Sequence, residues 1–124
     1  MSTAGIHNLL CDQGATFRKT LTMLQSDGTT VVDLTGYSAR MKIKEEVGGT
    51  LIKSLTSATN GGLTIGGSAG NVTNGEIDVL ISSTDTTNFD APQTAVYDLE
   101  IVSSGGIVDR VLQGKFIINP EVTD

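Results

Sequence analysis

His7 and Cys11 are the only histidine and the only cysteine in the chain, so nucleophilic catalysis by a thiol would depend on this pair. A cysteine nucleophile needs a base held beside it. These two residues are four positions apart in an N-terminal stretch without strand or helix periodicity, which does not favour a stable dyad. A free cysteine usually behaves as a small hydrophobic residue, so Cys11 is expected to be buried or half-buried. The sequence therefore predicts no catalytic residue here and no hydrolase activity.

Acidic side chains could support metal binding or acid–base catalysis. Asp85, Asn88 and Asp90 share a loop, but their spacing does not match a calcium-binding loop, and one histidine with one cysteine is too few for a zinc centre. Asp98 and Glu100 share one face of a predicted strand, where catalysis would also require a cleft. Nothing else in the sequence marks that face as a pocket. We predict capping and surface roles, with no metal and no cofactor.

Phosphate recognition has two sequence candidates. The glycine-rich stretch "NGGLTIGGSAGN" lacks the ending of a nucleotide P-loop and the spacing of a dinucleotide fingerprint. The formal net charge of −6 counts against nucleic-acid binding. Arg40, Lys42 and Lys44 cluster on the polar side of one alternating segment. We expect them to pair across strands with acidic residues, and a basic recognition patch is the alternative. The acidic candidates are Glu76, Asp78, Asp98 and Glu100.

Length and composition predict one domain that is not secreted. The chain has 124 residues and a single cysteine, so no disulfide forms within it, which fits assembly in a reducing cytosol. Its first residues contain neither a signal-peptide pattern nor an anchor, and no run reaches the length of a membrane span. We expect no membrane association.

Short alternating segments separated by glycine-rich turns predict an all-β protein. Strands are expected at about 16–24, 37–45, 50–56, 63–65, 75–82, 95–102 and 107–119, and residues 30–34 are expected to form a short strand or an edge piece. Residues 83–91 predict one helical turn, capped by Ser83 or Thr84 and anchored by Phe89. Seven or eight strands at this spacing favour an immunoglobulin-like antiparallel β-sandwich, with an open barrel as the alternative. In such a sandwich the Tyr97 hydroxyl would bond to nearby backbone at a corner between strands.

The parity of the strongest alternating runs predicts the core of this sandwich. Residues of one parity should be buried between the two sheets, and those of the other parity should face solvent. The predicted core residues are Tyr37, Met41, Ile43, Ile77, Val79, Tyr97, Leu99, Ile101 and Phe116.

Residues 1–13 precede the predicted sandwich domain, which covers residues 14–124. This segment has no strand period, few charges and three apolar residues, Ile6, Leu9 and Leu10. It is interpreted either as an arm that binds a neighbouring subunit through these three side chains or as an additional edge strand.

The order of several motifs resembles small virion proteins of tailed bacteriophages. The matching runs are "DGTTVVDLTGYSARMKI", "GEIDVLIS", "TDTTNFD", "YDLEIV" and "VDRVLQGKFIINPEVT". They are similar to the N-terminal immunoglobulin-like domain of the upper baseplate protein family, over about residues 14–123. The chain departs from that family because its sequence ends at Asp124 without a following coiled coil or receptor-binding region.

The resemblance implies a non-enzymatic structural subunit of the phage tail or baseplate, or a tail-fibre adaptor. It would occur in several copies in a symmetric virion, with other tail, baseplate or capsid subunits as partners, and would assemble in the host cytoplasm. A capsid decoration protein on the phage head is the alternative. A carbohydrate-binding module is a third hypothesis, although the chain has no tryptophan to form an aromatic platform.

Overall fold

The computed structural model describes residues 5–25 and 27–122, and this part of the chain forms nine strands and one short helix. The elements are β1 (Gly5–Ile6), β2 (Leu9–Asp12), β3 (Phe17–Thr22), β4 (Ser38–Lys44), β5 (Leu51–Thr56), β6 (Leu63–Ile65), β7 (Glu76–Ile81), α1 (Ser83–Thr87), β8 (Gln93–Val102) and β9 (Val108–Asn119). A 3-10 turn at Val72–Asn74 precedes β7.

Two sheets pack face to face. The larger has the order β1-β9-β8-β4-β5, with β2 also paired to β9, and the smaller has the order β3-β7-β6. In chain order these sheets correspond to strands G, F, C and C′ and to strands B, E and D of an immunoglobulin domain. The predicted all-β, immunoglobulin-like sandwich is therefore confirmed.

The core lies between the sheets and follows the predicted parity. In β8 the side chains of Ala95, Tyr97, Leu99 and Ile101 are buried in strict alternation with less buried residues. Phe17 from the small sheet and Phe116 from the large sheet meet across the core with ring centroids 5.4 Å apart. The predicted core residues are buried, except that Tyr37 is half-buried because it precedes β4.

Residues 30–34, predicted as a short strand or an edge piece, do not form a regular strand. This segment is a loop that makes a single bridge, between Leu24 and Val31. Asp33 bonds to nearby backbone, since one of its oxygens accepts a hydrogen bond from the Thr35 amide at 3.0 Å. Such local bonds compete with a strand ladder. Gly36 then turns the chain with a φ of 78°, which glycine adopts without steric cost.

The helical turn is shorter than predicted, and its cap lies one residue earlier. Ser82 is the N-cap, with its hydroxyl accepting from the Asp85 amide at 3.2 Å. The buried hydroxyl of Thr86 donates to the Ala15 carbonyl at 2.8 Å, which ties α1 to the turn between β2 and β3. Phe89 is buried as predicted.

Residues 5–12 form the edge strand that was the second interpretation of the N-terminal segment. Both β1 and β2 pair with β9 in parallel, which corrects the prediction of a purely antiparallel sandwich. Leu9 is 2% exposed and belongs to the core, so its assignment to a partner surface is corrected. Ile6 is 80% exposed because it lies at the end of the short strand β1. Leu10 is 65% exposed because it alternates with the buried residues Leu9 and Cys11 and so faces away from the core.

A tyrosine holds the N-terminal strands in place. The hydroxyl of Tyr97 donates to the His7 carbonyl between β1 and β2 at 2.5 Å. The predicted corner, with a bond to nearby backbone, is therefore wrong: the bond joins residues 90 positions apart. Tyr97 can reach across β9 because it lies opposite Gly114, which has no side chain and is next to the His7 carbonyl.

The edge-strand structure predicts different costs for two adjacent leucines. Leu9→Ala should lower the free energy of unfolding by about 2 to 5 kcal/mol, because it leaves a cavity in the core. Leu10→Ala is the matched control and should cost less than about 1 kcal/mol, because its side chain is exposed. Urea unfolding of both variants measures this, and equal midpoints would contradict the placement of β2.

The bond from Tyr97 to His7 can be tested by removing one oxygen atom. Tyr97→Phe should destabilise the fold by about 0.5 to 1.5 kcal/mol, because one hydrogen bond is lost while the ring stays packed. Tyr37→Phe is the control, since no hydrogen bond of the Tyr37 hydroxyl occurs within the described residues. An equal loss of stability in both variants would argue against a stabilising hydrogen bond between Tyr97 and His7.

Candidate functional site

A groove of about 450 Å³ lies on the outer face of the large sheet. Its floor consists of outward-facing side chains of β4 and β8, because the residues of the other parity fill the core. The turn between β4 and β5 supplies one wall through Val47 and Gly48, and β9 supplies the other through Arg110 and Gln113. This groove corrects the expectation that the face of Asp98 and Glu100 carries no pocket.

Strand register places charges opposite one another in this groove. Arg40 lies beside Glu100, and the Nε of Arg40 approaches the Oε1 of Glu100 to 2.7 Å. On the other side of β8, the Nε of Arg110 is 3.4 Å from the Oδ2 of Asp98. The predicted pairing across strands is confirmed for Arg40. Each pair is partly exposed, so each contributes no more than about 1 kcal/mol to stability.

The two lysines that were expected to pair across strands, Lys42 and Lys44, form no ion pair with a carboxylate of the described residues. Lys42 lies opposite Asp98 in the ladder, but Asp98 is paired with Arg110. Among the described residues, neither Lys42 nor Lys44 has an acidic group within 4.0 Å. Glu76 and Asp78, proposed as partners, lie on β7 in the other sheet, where Asp78 accepts from the Thr20 hydroxyl at 2.8 Å.

The groove therefore combines four cationic side chains with two anionic ones in a chain of net charge −6. Val47, which is 91% exposed, adds an apolar wall beside Lys44. Uncompensated lysines next to apolar surface suit the binding of a carboxylate-bearing protein surface more than the activation of a reactive group. What the groove can do is attract and orient an acidic partner.

The thiol of Cys11 lies outside this groove and is fully buried. Burial, followed by the charge of Asp12, raises the pKa of Cys11 to about 11. His7 is exposed and contributes its backbone, not its side chain, to the contact with Tyr97. A thiol that stays protonated is a poor nucleophile, so the buried apolar role predicted for Cys11 agrees with its position.

The other acidic candidates serve local structure. The Lys53 ammonium donates to the Oδ2 of Asp85 at 2.8 Å, and this contact lowers the pKa of Asp85. The side-chain amide of Asn88 donates to the Thr84 carbonyl at 3.1 Å, at the end of α1. Within residues 5–25 and 27–122, three or more potential metal-ligating side chains do not come together. The glycine-rich stretch forms turns on both sides of β6.

Sequence reasoning found the floor of the groove but not its walls. The alternation of β4 and β8 already placed Arg40, Lys42 and Glu100 on outer faces. Arg110 and Gln113 were missed, because β9 has a register shift against β8 that alternation alone does not locate. Val47 offered a signal that was not used, as an isolated apolar residue in a charged, glycine-rich turn.

No protein-family model matches the chain, and no curated protein matches its sequence. A similar solved chain comes from the crystal structure of ICOS in complex with ICOS-L and an anti ICOS-L VNAR domain, with a TM-score of 0.48 and 13% identity. The match covers 95% of this chain and 56% of that chain, so this chain spans just over half its length.

None of the helices in the described residues has the length and apolar character needed to cross a bilayer.

Burial of Cys11 predicts slow reaction with a thiol reagent. At pH 8 the folded chain should react at least about tenfold more slowly than the chain in urea, because the thiol must first become accessible. A Cys11→Ala, Ser54→Cys variant is the control, since Ser54 is exposed on β5. Equal rates for the two thiols in the folded state would contradict the burial of Cys11.

The same burial predicts a loss of stability at alkaline pH. The folded pKa of Cys11 is raised from 9.0 to about 11, so its contribution is complete below pH 9 and is lost as the pH rises to 11. Burial also raises the pKa of Tyr97 from 10.0 to about 12, which extends the loss. Urea midpoints measured from pH 8 to 11 should fall less steeply in Cys11→Ala, and identical slopes would contradict this prediction.

Proposed function

We propose that this chain is a non-enzymatic structural subunit of a tailed-phage virion, in the tail or baseplate or as a tail-fibre adaptor. The motif order from "DGTTVVDLTGYSARMKI" to "VDRVLQGKFIINPEVT" supports this proposal. These motifs correspond to the corner before β4, to β4 itself and to the strands that complete the large sheet. The resemblance thus involves the residues that build the sandwich.

The observation that carries the proposal is the groove on the outer face of the large sheet. A rigid sheet with two ion pairs, two uncompensated lysines and an exposed valine is suited to a lasting contact with another protein. Lys42 and Lys44 would attract an acidic surface of a neighbouring subunit and fix its register. Repetition of this contact in a symmetric particle would place several copies of the chain side by side.

Particle composition tests the proposal. Phage particles whose genome encodes this chain should be purified and analysed by mass spectrometry, and the chain should be present in a fixed number of copies. A specific antibody, seen by electron microscopy, should then bind to the tail or baseplate of the particle. Label on the capsid surface would support the decoration protein instead, and absence of the chain from purified particles would overturn the virion proposal.

Charge reversal tests the groove. In a phage deleted for the gene and supplied with variants in trans, Lys42→Glu or Lys44→Glu should reduce incorporation by about tenfold, because each repels an acidic partner. Lys115→Glu is the matched control, because Lys115 is exposed on β9 outside the groove and its reversal changes the net charge equally. Equal losses for Lys44→Glu and Lys115→Glu would show that the groove is not the contact surface.

A further inference from the structure

The edge strand β3 has free hydrogen-bonding groups along one side. β3 pairs with β7 alone, and Lys19 lies opposite Val79 in that ladder. In β7 the Glu76 carbonyl and the Leu80 amide bond toward β6, so by alternation the backbone groups of Ile77 and Val79 are directed toward β3. Alternation in an antiparallel ladder then directs the backbone amides and carbonyls of Arg18, Thr20 and Thr22 away from β7.

These groups have no hydrogen-bond partner among the residues that the structure describes. In an immunoglobulin domain of the constant type, strand A occupies this position beside strand B. Here the corresponding segment, β1 and β2, pairs with β9 in the other sheet. The small sheet therefore lacks the strand that would cover β3.

A crevice runs along the free side of β3. It consists of two adjoining cavities of about 300 and 390 Å³, and both are lined by His7 and Lys19. The opposite wall is formed by residues of β1 and β2, among them Ile6 and Leu10. Two of the three residues predicted to bind a partner therefore lie beside the uncovered edge.

The crevice is cationic. Arg18 and Lys19 are exposed, and no carboxylate of the described residues lies within 4.0 Å of either. Asp12 is the one acidic residue that lines the crevice, and its Oδ1 already accepts a hydrogen bond from the Asn119 amide at 3.3 Å. Lys19 shares the parity of the core residues Phe17 and Leu21, so its side chain starts from the inner face of the small sheet and stays exposed at the edge.

We propose that the edge of β3 binds an extended acidic segment of another protein, which adds to the small sheet as a strand. The backbone of the segment would bond to Arg18, Thr20 and Thr22. Its carboxylates would lie on one face of the added strand, where they pair with Arg18, and its apolar side chains would lie on the other face, toward the large sheet. This site is separate from the groove on the large sheet and does not depend on the virion proposal.

The same charges argue against a second copy of this chain as the occupant. Charged residues on an edge strand, above all an inward-pointing lysine, hinder pairing with another edge. Pairing two copies of β3 would bring two arginines and two lysines to one seam. An acidic strand would instead compensate these charges, so the edge should bind a strand of opposite charge more tightly than a second copy of β3.

Binding of a synthetic peptide tests the proposal directly. The probe is a capped peptide of about eight residues with alternating Glu and Val, long enough to span β3. Titration followed by amide NMR should shift the resonances of Arg18, Thr20 and Thr22 first. A peptide of alternating Lys and Val, and a Glu-Val peptide with methylated amides on its pairing side, should each bind at least about tenfold more weakly.

Protein variants complete the test. Thr20→Pro removes an outward amide that β7 does not use, which an edge strand tolerates, and should weaken binding by about tenfold or more. Thr20→Ala keeps that amide and is the matched control. Unchanged affinity for the methylated peptide, or shifts centred on Lys42 and Lys44, would overturn the proposal. Dimerisation of the chain by itself that Thr20→Pro abolishes would overturn the choice of an acidic partner.

Discussion

Burial of the inner face of β8 between the two sheets is the constraint on which the rest of the structure depends. Ala95, Tyr97, Leu99 and Ile101 fill the centre of the core, where the large sheet meets the small one. Because side chains alternate along a strand, this burial also directs Asp98 and Glu100 outward. The groove is therefore the reverse side of the core, and its charges are held by a strand that hydrophobic packing keeps rigid.

The residues of β8 also help to fix the position of the N-terminal strands β1 and β2. The bond from the Tyr97 hydroxyl to the His7 carbonyl, together with burial of Leu9 and Cys11, holds this segment against β9. A segment held there cannot also cover β3. The same packing that completes the large sheet leaves the small sheet with an open edge and with exposed Ile6 and Leu10 beside it.

The charges of the two surfaces follow a common pattern. The chain carries a net charge of −6, yet both the groove and the edge of β3 present lysine and arginine without enough carboxylates to balance them. Acidic residues elsewhere serve other roles: Asp33 closes the loop before β4, and Asp85 binds Lys53 beside α1. Local cationic surface on an acidic protein favours partners that are acidic themselves, and disfavours association with its own copies.

Local alternation let the sequence determine the strands β4, β7 and β8, the inward residues Met41, Val79 and Leu99, and the outward position of Arg40. These properties depend on a period of two residues within one segment. The tertiary structure alone decided that the N-terminal segment joins β9 in parallel, that Asp98 binds Arg110 instead of Lys42, and that Tyr97 contacts His7. These contacts join residues of different strands, and they depend on strand order, direction and register, which no single segment encodes.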